Sequence, residues 1–294
     1  MASRVMWRLI AVLMLLAVSV EAETYTFQQG VADVAHPELG VYEGAHDVTI
    51  TESTSWLNTF GESRLRMQYT YPGGPEGYNT LIRFDNLGDS LSGLIVGTAT
   101  LTLTYRHEYE EYVTPTIDIY PTLKSWADPN ATWVYADSGE GEAWQAGGAA
   151  GEEDRGDLST SVTLPARSFM SYYDDGDRFE LELDPGLVQG WIADPNSNLG
   201  LIMAMNPSAA TDITFSSSQY SELEDRPLLT IETVPCLAIP SDLTGDCYVN
   251  FDDYVVLSRG WQSGEYAMED LIQMANEWLE CSDPDEPRCT WTRP

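Results

Sequence analysis

The chain has 294 residues, 47 acidic and 14 basic, which gives a formal net charge of −33 and an isoelectric point near 4.1. A surface this acidic repels phosphate backbones and anionic lipid, so nucleic-acid binding and electrostatic membrane attachment are excluded as main roles, and an anionic polysaccharide is met only through bridging divalent cations. With 43% hydrophobic and 21% charged residues the chain buries enough apolar surface to fold, and its length fits one large β domain plus a small module.

Arg4 and Arg8 precede an apolar run from Leu9 to Val20, and Val20-Glu21-Ala22 then offers a small-residue cleavage site. Residues 1–22 read as a secretory signal peptide, so the mature chain is expected to be secreted, in an extracellular or cell-surface setting. The run is too short for the roughly 20 residues a membrane span needs, and no later segment is apolar enough to cross.

Between Val48 and Ile231 the texture is short alternating runs punctuated by Gly, Pro, Asn and Asp. Residues 98–105 read TATLTLTY, with Ala99, Leu101, Leu103 and Tyr105 on one face and threonines on the other, which predicts a half-buried strand. Similar runs cover residues 47–51, 64–69, 79–84, 116–120, 178–183, 200–205, 211–216 and 228–232. So many short strands with little helical periodicity predict two packed antiparallel sheets, a jelly-roll β-sandwich. A short helix opens at Pro185, with Leu187, Val188, Trp191 and Ile192 at helical spacing, and ends before Asp194-Pro195-Asn196. Residues 136–157 are rich in Gly, Ala and Glu without an apolar period and read as a long loop. The loop contains Arg155-Gly156-Asp157, an adhesion-type tripeptide that three residues produce by chance. Asn130-Ala131-Thr132 is a glycosylation sequon.

At Val234-Pro235-Cys236 the composition changes, which divides the chain into a sandwich at 23–234 and a module at 235–294. Cys236, Cys247, Cys281 and Cys289 all fall in the module. An even count in an exported chain favours disulfides over a zinc site, since no Cys-x-x-Cys pair occurs, and the pairing is left open. Met268, Leu271, Ile272, Ala275, Trp278 and Leu279 form one apolar helical stripe, and Phe251, Tyr254, Val255, Ser258 and Trp261 a weaker one. Two short helices bury little, so such a module needs staples from disulfides or a metal.

Residues 242–253 supply oxygen-bearing groups at EF-hand spacing: Asp242, Thr244, Asp246, the Tyr248 carbonyl, Asn250 and Asp253. Such a set matches calcium, a hard cation that takes six to eight oxygens, and a helix is expected directly after it. Cys247 replaces the usual turn glycine, and Asp253 stands where a longer glutamate is common. The other reading is an acidic turn in which Asp and Asn act as caps. On these residues the tail resembles a dockerin, the small calcium-dependent module that docks secreted polysaccharide-degrading components onto cohesin receptors. The first loop-helix repeat matches residues 242–261, whereas the second keeps only a helix, 267–279, without an acidic loop. The resemblance implies calcium as cofactor and a cohesin-like or other cell-surface partner.

The sandwich in turn is similar to the DNRLRE family of secreted carbohydrate-binding modules. The resemblance runs in order through Asp47-Val48-Thr49-Ile50-Thr51-Glu52, Phe60-Gly61, Leu65-Arg66-Met67, Leu81-Ile82-Arg83-Phe84-Asp85, Ala99-Thr100-Leu101-Thr102-Leu103, Trp126, Ala131-Thr132-Trp133, Trp144 with Gly147-Gly148, Asp157, Phe215-Ser216-Ser217-Ser218 and Arg226-Pro227-Leu228-Leu229-Thr230-Ile231. It implies a non-catalytic jelly roll that binds polysaccharide. Sugars lay their C–H faces on aromatic rings and hydrogen-bond through their hydroxyls, so ring placement decides the ligand residues. Trp126, Trp133 and Trp144 read as core, while Tyr69, Tyr71 and Tyr78 around Pro72-Gly73-Gly74-Pro75, and Tyr109 and Tyr112 in an acidic run, read as loop-borne contacts. Arg64 and Arg66 join them as a local basic patch with Arg83 and Arg106, although Arg83 is more simply an ion-pair partner for Asp85. With so few cations the coherent ligand is a neutral or calcium-bridged polysaccharide.

Two other classes stay open. A polysaccharide-degrading enzyme, a lyase or glycoside hydrolase, needs a positioned base or carboxylate pair. His36, His46 and His107 carry no recognisable partner motif, and neither a Gly-x-Ser-x-Gly elbow nor a phosphate-binding glycine loop occurs. A structural protein that self-assembles or mediates adhesion at a cell surface needs neither.

Overall fold

A computed structural model describes residues 22–52, 63–68, 77–92, 94–106, 115–165, 173–206, 212–234, 240–244, 248–263 and 266–278. The expected signal peptide up to residue 21, Tyr69, Tyr71, Tyr109, Tyr112, Asp246 and all four cysteines lie outside the described residues.

The described chain is mainly β. Its strands are β1 (Thr24–Gln28), β2 (Val31–Ala32), β3 (Val41–Tyr42), β4 (Ala45–Thr51), β5 (Arg64–Gln68), β6 (Tyr78–Phe84), β7 (Ile95–Thr104) and β8 (Thr116–Pro121). There follow β9 (Tyr135–Asp137), β10 (Glu142–Ala143), β11 (Thr160–Thr163), β12 (Arg178–Leu183), β13 (Leu201–Met205), β14 (Asp212–Ser216) and β15 (Leu228–Val234). The α-helices are α1 (Leu87–Leu91), α2 (Pro185–Ala193), α3 (Phe251–Ser263) and α4 (Met268–Glu277). Asp184 caps α2 by accepting from the Gly186 N–H, and Pro185 occupies the first turn, where its missing donor costs nothing.

Two antiparallel sheets share the main core. One has the order β1-β15-β7-β12. The other runs β11-β8-β13-β6-β5-β14, with β4 paired along β6. In the four-stranded sheet the alternation read from the sequence is the burial pattern. Ala99, Leu101 and Leu103 of β7, Phe179, Leu181 and Leu183 of β12, and Leu229 and Ile231 of β15 point into the core. Their neighbours Glu180 and Glu182 are exposed. Opposite them lie Leu65, Met67, Ile82, Ile117, Ile119, Met203, Ile213 and Phe215 of the larger sheet. At one corner the sheets meet, because Tyr105 extends β7 and bridges to Phe215 of β14.

The larger sheet is also apolar on its outer face. Val48, Ile50, Leu81 and Ile202 form a second core with Trp126, Ala131, Ala136, Trp144 and Ala149, and with half-buried Tyr120 and Trp133. This explains why β6 and β13 show no clean alternation: a strand buried on both faces is a continuous apolar run. The cover comes from residues 122–159, most of which the sequence reading left as loop. Apart from the β9–β10 hairpin it is built of turns, and side-chain bonds hold it in place. The Asp154 carboxylate, fully buried, accepts N–H bonds from Gln145, Ala146 and Gly151 at 2.7–3.0 Å. Trp126 donates its indole N–H to the Leu199 carbonyl and Trp144 to the Thr132 carbonyl, each at 2.8 Å. The glycines beside Trp133 are required: a Cβ on Gly147 or Gly148 would come within 2.6 or 2.7 Å of its ring, and Gly148 has a φ of +76°.

Removing the Asp154 carboxylate strands three backbone donors in a closed site. We expect Asp154→Ala to lower the stability of the sandwich by about 3 kcal/mol, seen as a lower urea midpoint with accelerated exchange of the Gln145, Ala146 and Gly151 amides. An unchanged midpoint would mean that the cover holds without it.

Candidate functional site

Three regions bring functional side chains together: the calcium-type loop with its helices, the arginine and histidine networks at the rim of the larger sheet, and a cleft beside the β2–β3 hairpin.

In the 242–253 loop the described residues converge. The Thr244 hydroxyl lies 3.5 Å from Asp242 Oδ1 and 2.9 Å from Asp253 Oδ1. The Thr244 hydroxyl therefore links the carboxylates at positions 1 and 12 of the loop. Asp253 is the hub of the loop. Its fully buried carboxylate accepts from the N–H groups of Leu243 and Thr244 at 2.7 and 2.9 Å, from the Thr244 hydroxyl, and from the Asn250 N–H at 2.8 Å. Three of these donors meet Oδ1 and one meets Oδ2, so Oδ1 is saturated while Oδ2 keeps a lone-pair site. Asn250 completes the stitch by accepting from the Asp252 N–H at 2.7 Å, a reciprocal cap that starts α3. Asp253 thus closes the loop from within, and the Thr244 hydroxyl links it to Asp242.

The two helices turn much of their apolar stripes outward. Towards the module's small core point Asp253, Leu257 and Gly260 of α3 and Met274 of α4, packed with Val249 and partly buried Leu243, Leu271 and Trp278. The stripe of Phe251, Tyr254, Val255 and Trp261 lies outward, with Phe251 73% exposed, and Met268 and Ile272 of α4 are 56% exposed each. Phe251 meets Trp278 edge to face with ring centroids 5.1 Å apart, which joins the start of α3 to the end of α4.

At the rim of the larger sheet the predicted basic patch is tied up in pairs. Arg66 Nε bonds both oxygens of Asp212 at 2.9 and 3.1 Å, and its guanidinium lies 4.2 Å over the ring of Tyr78. Two of the residues expected to touch a glycan thus engage each other, and Arg64 is exposed at the start of β5. Arg83 pairs with Asp85 at 2.7 Å, as expected, and stacks on Trp126. Arg106 is 5% exposed, bonds Ser216, Asp175 and Asp225, and stacks on Tyr220, so it pins the corner between the sheets.

His46, which sequence alone left without a partner, bridges two carboxylates. Its Nδ1 bonds Asp128 of the cover and its Nε2 lies 3.2 Å from Asp85. Asp128 first and Asp85 second push its pKa up to about 9, against a smaller opposing effect of burial. Next to it, burial pushes fully enclosed Asp47 up to about 7, although the Ser218 N–H stabilises its ionised form. Both partners come from distant segments, so no local motif announces the bridge.

The cleft has a volume of about 250 Å³ and is lined by Asp33, Tyr42 and Glu43 of the hairpin segment and by Asn86, Asp89 and Ser90 at α1. Burial raises the pKa of Asp33, but N–H bonds from Thr26, Ala35 and His36 outweigh it and hold the carboxyl below its usual range. The strand runs read from the sequence begin at residue 47 and leave this region unassigned. The alternation of Tyr25 and Phe27, which β1 buries against β15, was the available signal.

Compared with known proteins, the chain matches no protein-family model and no curated protein. Among the described residues no helix is long and apolar enough to cross a membrane, and no group of three or more His, Cys, Asp or Glu side chains is placed to hold a metal.

Two expectations follow. A folded-state pKa raised above the free value means that the fold binds the proton more tightly. The His46 contribution is therefore complete below about pH 6.5 and lost as pH rises through about 9, and that of Asp47 is complete below about 3.8 and lost through about 7. The melting temperature should fall from pH 5 to pH 9.5, and His46→Gln should remove the part between 6.5 and 9.5 while leaving the rest. Equal slopes for the two proteins in that window would refute the bridge. In the loop, Asp253→Ala should speed exchange of the Leu243, Thr244 and Asn250 amides by about a hundredfold, equivalent to about 2.7 kcal/mol. Unchanged exchange would show that these amides do not depend on the carboxylate.

Proposed function

We propose that this is a secreted, non-catalytic polysaccharide-binding protein whose jelly-roll sandwich meets the glycan and whose C-terminal module attaches it to a cohesin-like or other cell-surface partner. The observation that carries the reading is the contrast between the two parts. The sandwich buries Trp126 and Trp144 under its own cover, whereas the small module leaves Phe251, Tyr254, Val255 and Trp261 in solvent along one side of a helix. An apolar stripe of that kind, on a protein otherwise so acidic, is a surface made for contact. The similarity to DNRLRE and dockerin sequences points the same way.

The ligand class follows from charge. Arg66, Arg83 and Arg106 are paired with carboxylates, so the rim offers little to an acidic sugar, and a neutral or calcium-bridged polysaccharide is the matching partner. Calcium belongs to the same proposal: Asp242, Thr244, Asp246, Tyr248, Asn250 and Asp253 would hold the ion, which would stiffen a loop that Asp253 already stitches through its hydrogen bonds. A structural, self-assembling role is the second reading, favoured by the same exposed stripe.

A panel of soluble polysaccharides, tested by calorimetry and gel shift with calcium and with chelator, separates these. We expect saturable binding of a neutral polysaccharide without release of shorter products. Product release would make the protein an enzyme, and ordered self-association without glycan binding would make it a building element.

A further inference from the structure

The cleft beside the β2–β3 hairpin carries more than its geometry. Its hairpin side is fixed in advance. Asp33 holds the turn after β2 through the three N–H bonds described above, and the Tyr42 hydroxyl donates to the Asp85 carbonyl at 2.8 Å. The Asp85 N–H in turn bonds the Gly44 carbonyl at 2.8 Å. A pocket whose walls are set before binding loses little ordering entropy when it is filled.

The opposite side is polar and unused. Asn86 has a left-handed φ of 62° and its amide does not cap α1. Neither Asn86, Asp89 nor Ser90 spends its side chain on a hydrogen bond with another described residue. An amide and a hydroxyl each both donate and accept, and a carboxylate accepts. That combination complements vicinal hydroxyl groups, which do both. At the mouth, Leu39 and Val41 are 40% and 55% exposed and offer apolar surface to a C–H face. Among the described residues no Lys or Arg lines the cleft, so a phosphate, sulfate or uronate would face Asp33, Glu43 and Asp89 without a counter-charge from them. The volume, about 250 Å³, lies just under the roughly 300–1,000 Å³ of pockets for drug-sized ligands, the scale of one sugar ring.

We infer that this cleft binds a single neutral pyranose or furanose ring, free or as one unit of a polysaccharide, through Asn86, Asp89 and Ser90. The inference rests on the polysaccharide-binding reading and gives it a location. It also moves the expected contacts away from Tyr78 and Arg66, which already hold each other.

The test uses the full-length protein in calorimetric titrations with the methyl glycosides of glucose, galactose, mannose and xylose, with glucuronic acid, and with the neutral polysaccharide panel. Methyl glycosides report a single ring and the polymers report a chain. The key variant is Asn86→Gly with Asp89→Ala: glycine accepts the left-handed backbone, so the fold should keep its melting temperature while the amide and carboxylate are lost. Ser90→Ala is the second variant. We expect at least one neutral probe to bind, glucuronic acid not to bind, and the double variant to weaken binding at least tenfold, with Ser90→Ala weaker than the parent. Polysaccharide binding that the double variant leaves intact would overturn the cleft while sparing the function. Failure of every neutral probe on the parent protein would overturn both.

Discussion

The constraint on which the rest of the sandwich depends is that its larger sheet is apolar on both faces. The inner face is met by the four-stranded sheet, but the outer one, with Val48, Ile50, Leu81 and Ile202, would otherwise lie in water. Residues 122–159 answer this with turns instead of a third sheet. Tryptophans fill the space, and a few buried polar contacts fix the chain above them: Asp154 inside the cover, Arg83 under Trp126, and His46 between Asp85 and Asp128. This packing closes the outer face of the sheet, so the side chains left in solvent lie at its rims and on the C-terminal helices.

A second theme is what the acidic residues do. Asp33, Asp154 and Asp253 each gather backbone N–H groups from a turn and hold it, and Asp47 does the same for Ser218. Such a carboxylate performs locally what a metal or a disulfide performs elsewhere: it satisfies orphan donors and fixes a loop that has no sheet to join. Part of the net charge is therefore structural. The remaining carboxylates give the surface its repulsion toward anions, and some of them pair with Arg66, Arg83, Arg106 and Arg178.

Much of the sandwich was legible in the sequence because half-buried strands alternate. β7 and β12 read directly, and so did α2, where Asp184 and Pro185 mark the start. The cover was not legible, since turns held by Asp154 have no period and their partners lie up to nine residues away. β1 was passed over although Tyr25 and Phe27 alternate, because its partner β15 is some two hundred residues distant and nothing local demands the pairing. In α3 the helix was legible and its orientation was not. Hydrophobic periodicity points to Phe251, Tyr254, Val255 and Trp261, yet the inner side is set by Leu257 flanked by a buried carboxylate, Asp253, and a glycine, Gly260, which carry no apolar signal. Likewise Arg66 and Tyr78 looked available one at a time, and only the fold shows them stacked.

The most direct measurement is hydrogen–deuterium exchange of the full-length protein with and without a saturating neutral polysaccharide. The account predicts new protection in the turn from Asp33 to Gly44 and at Asn86 to Ser90, with the covered strands β6 and β13 unchanged. Protection confined to residues 122–159 over the larger sheet would contradict it, because the glycan would then be reading the face that the cover is held to close.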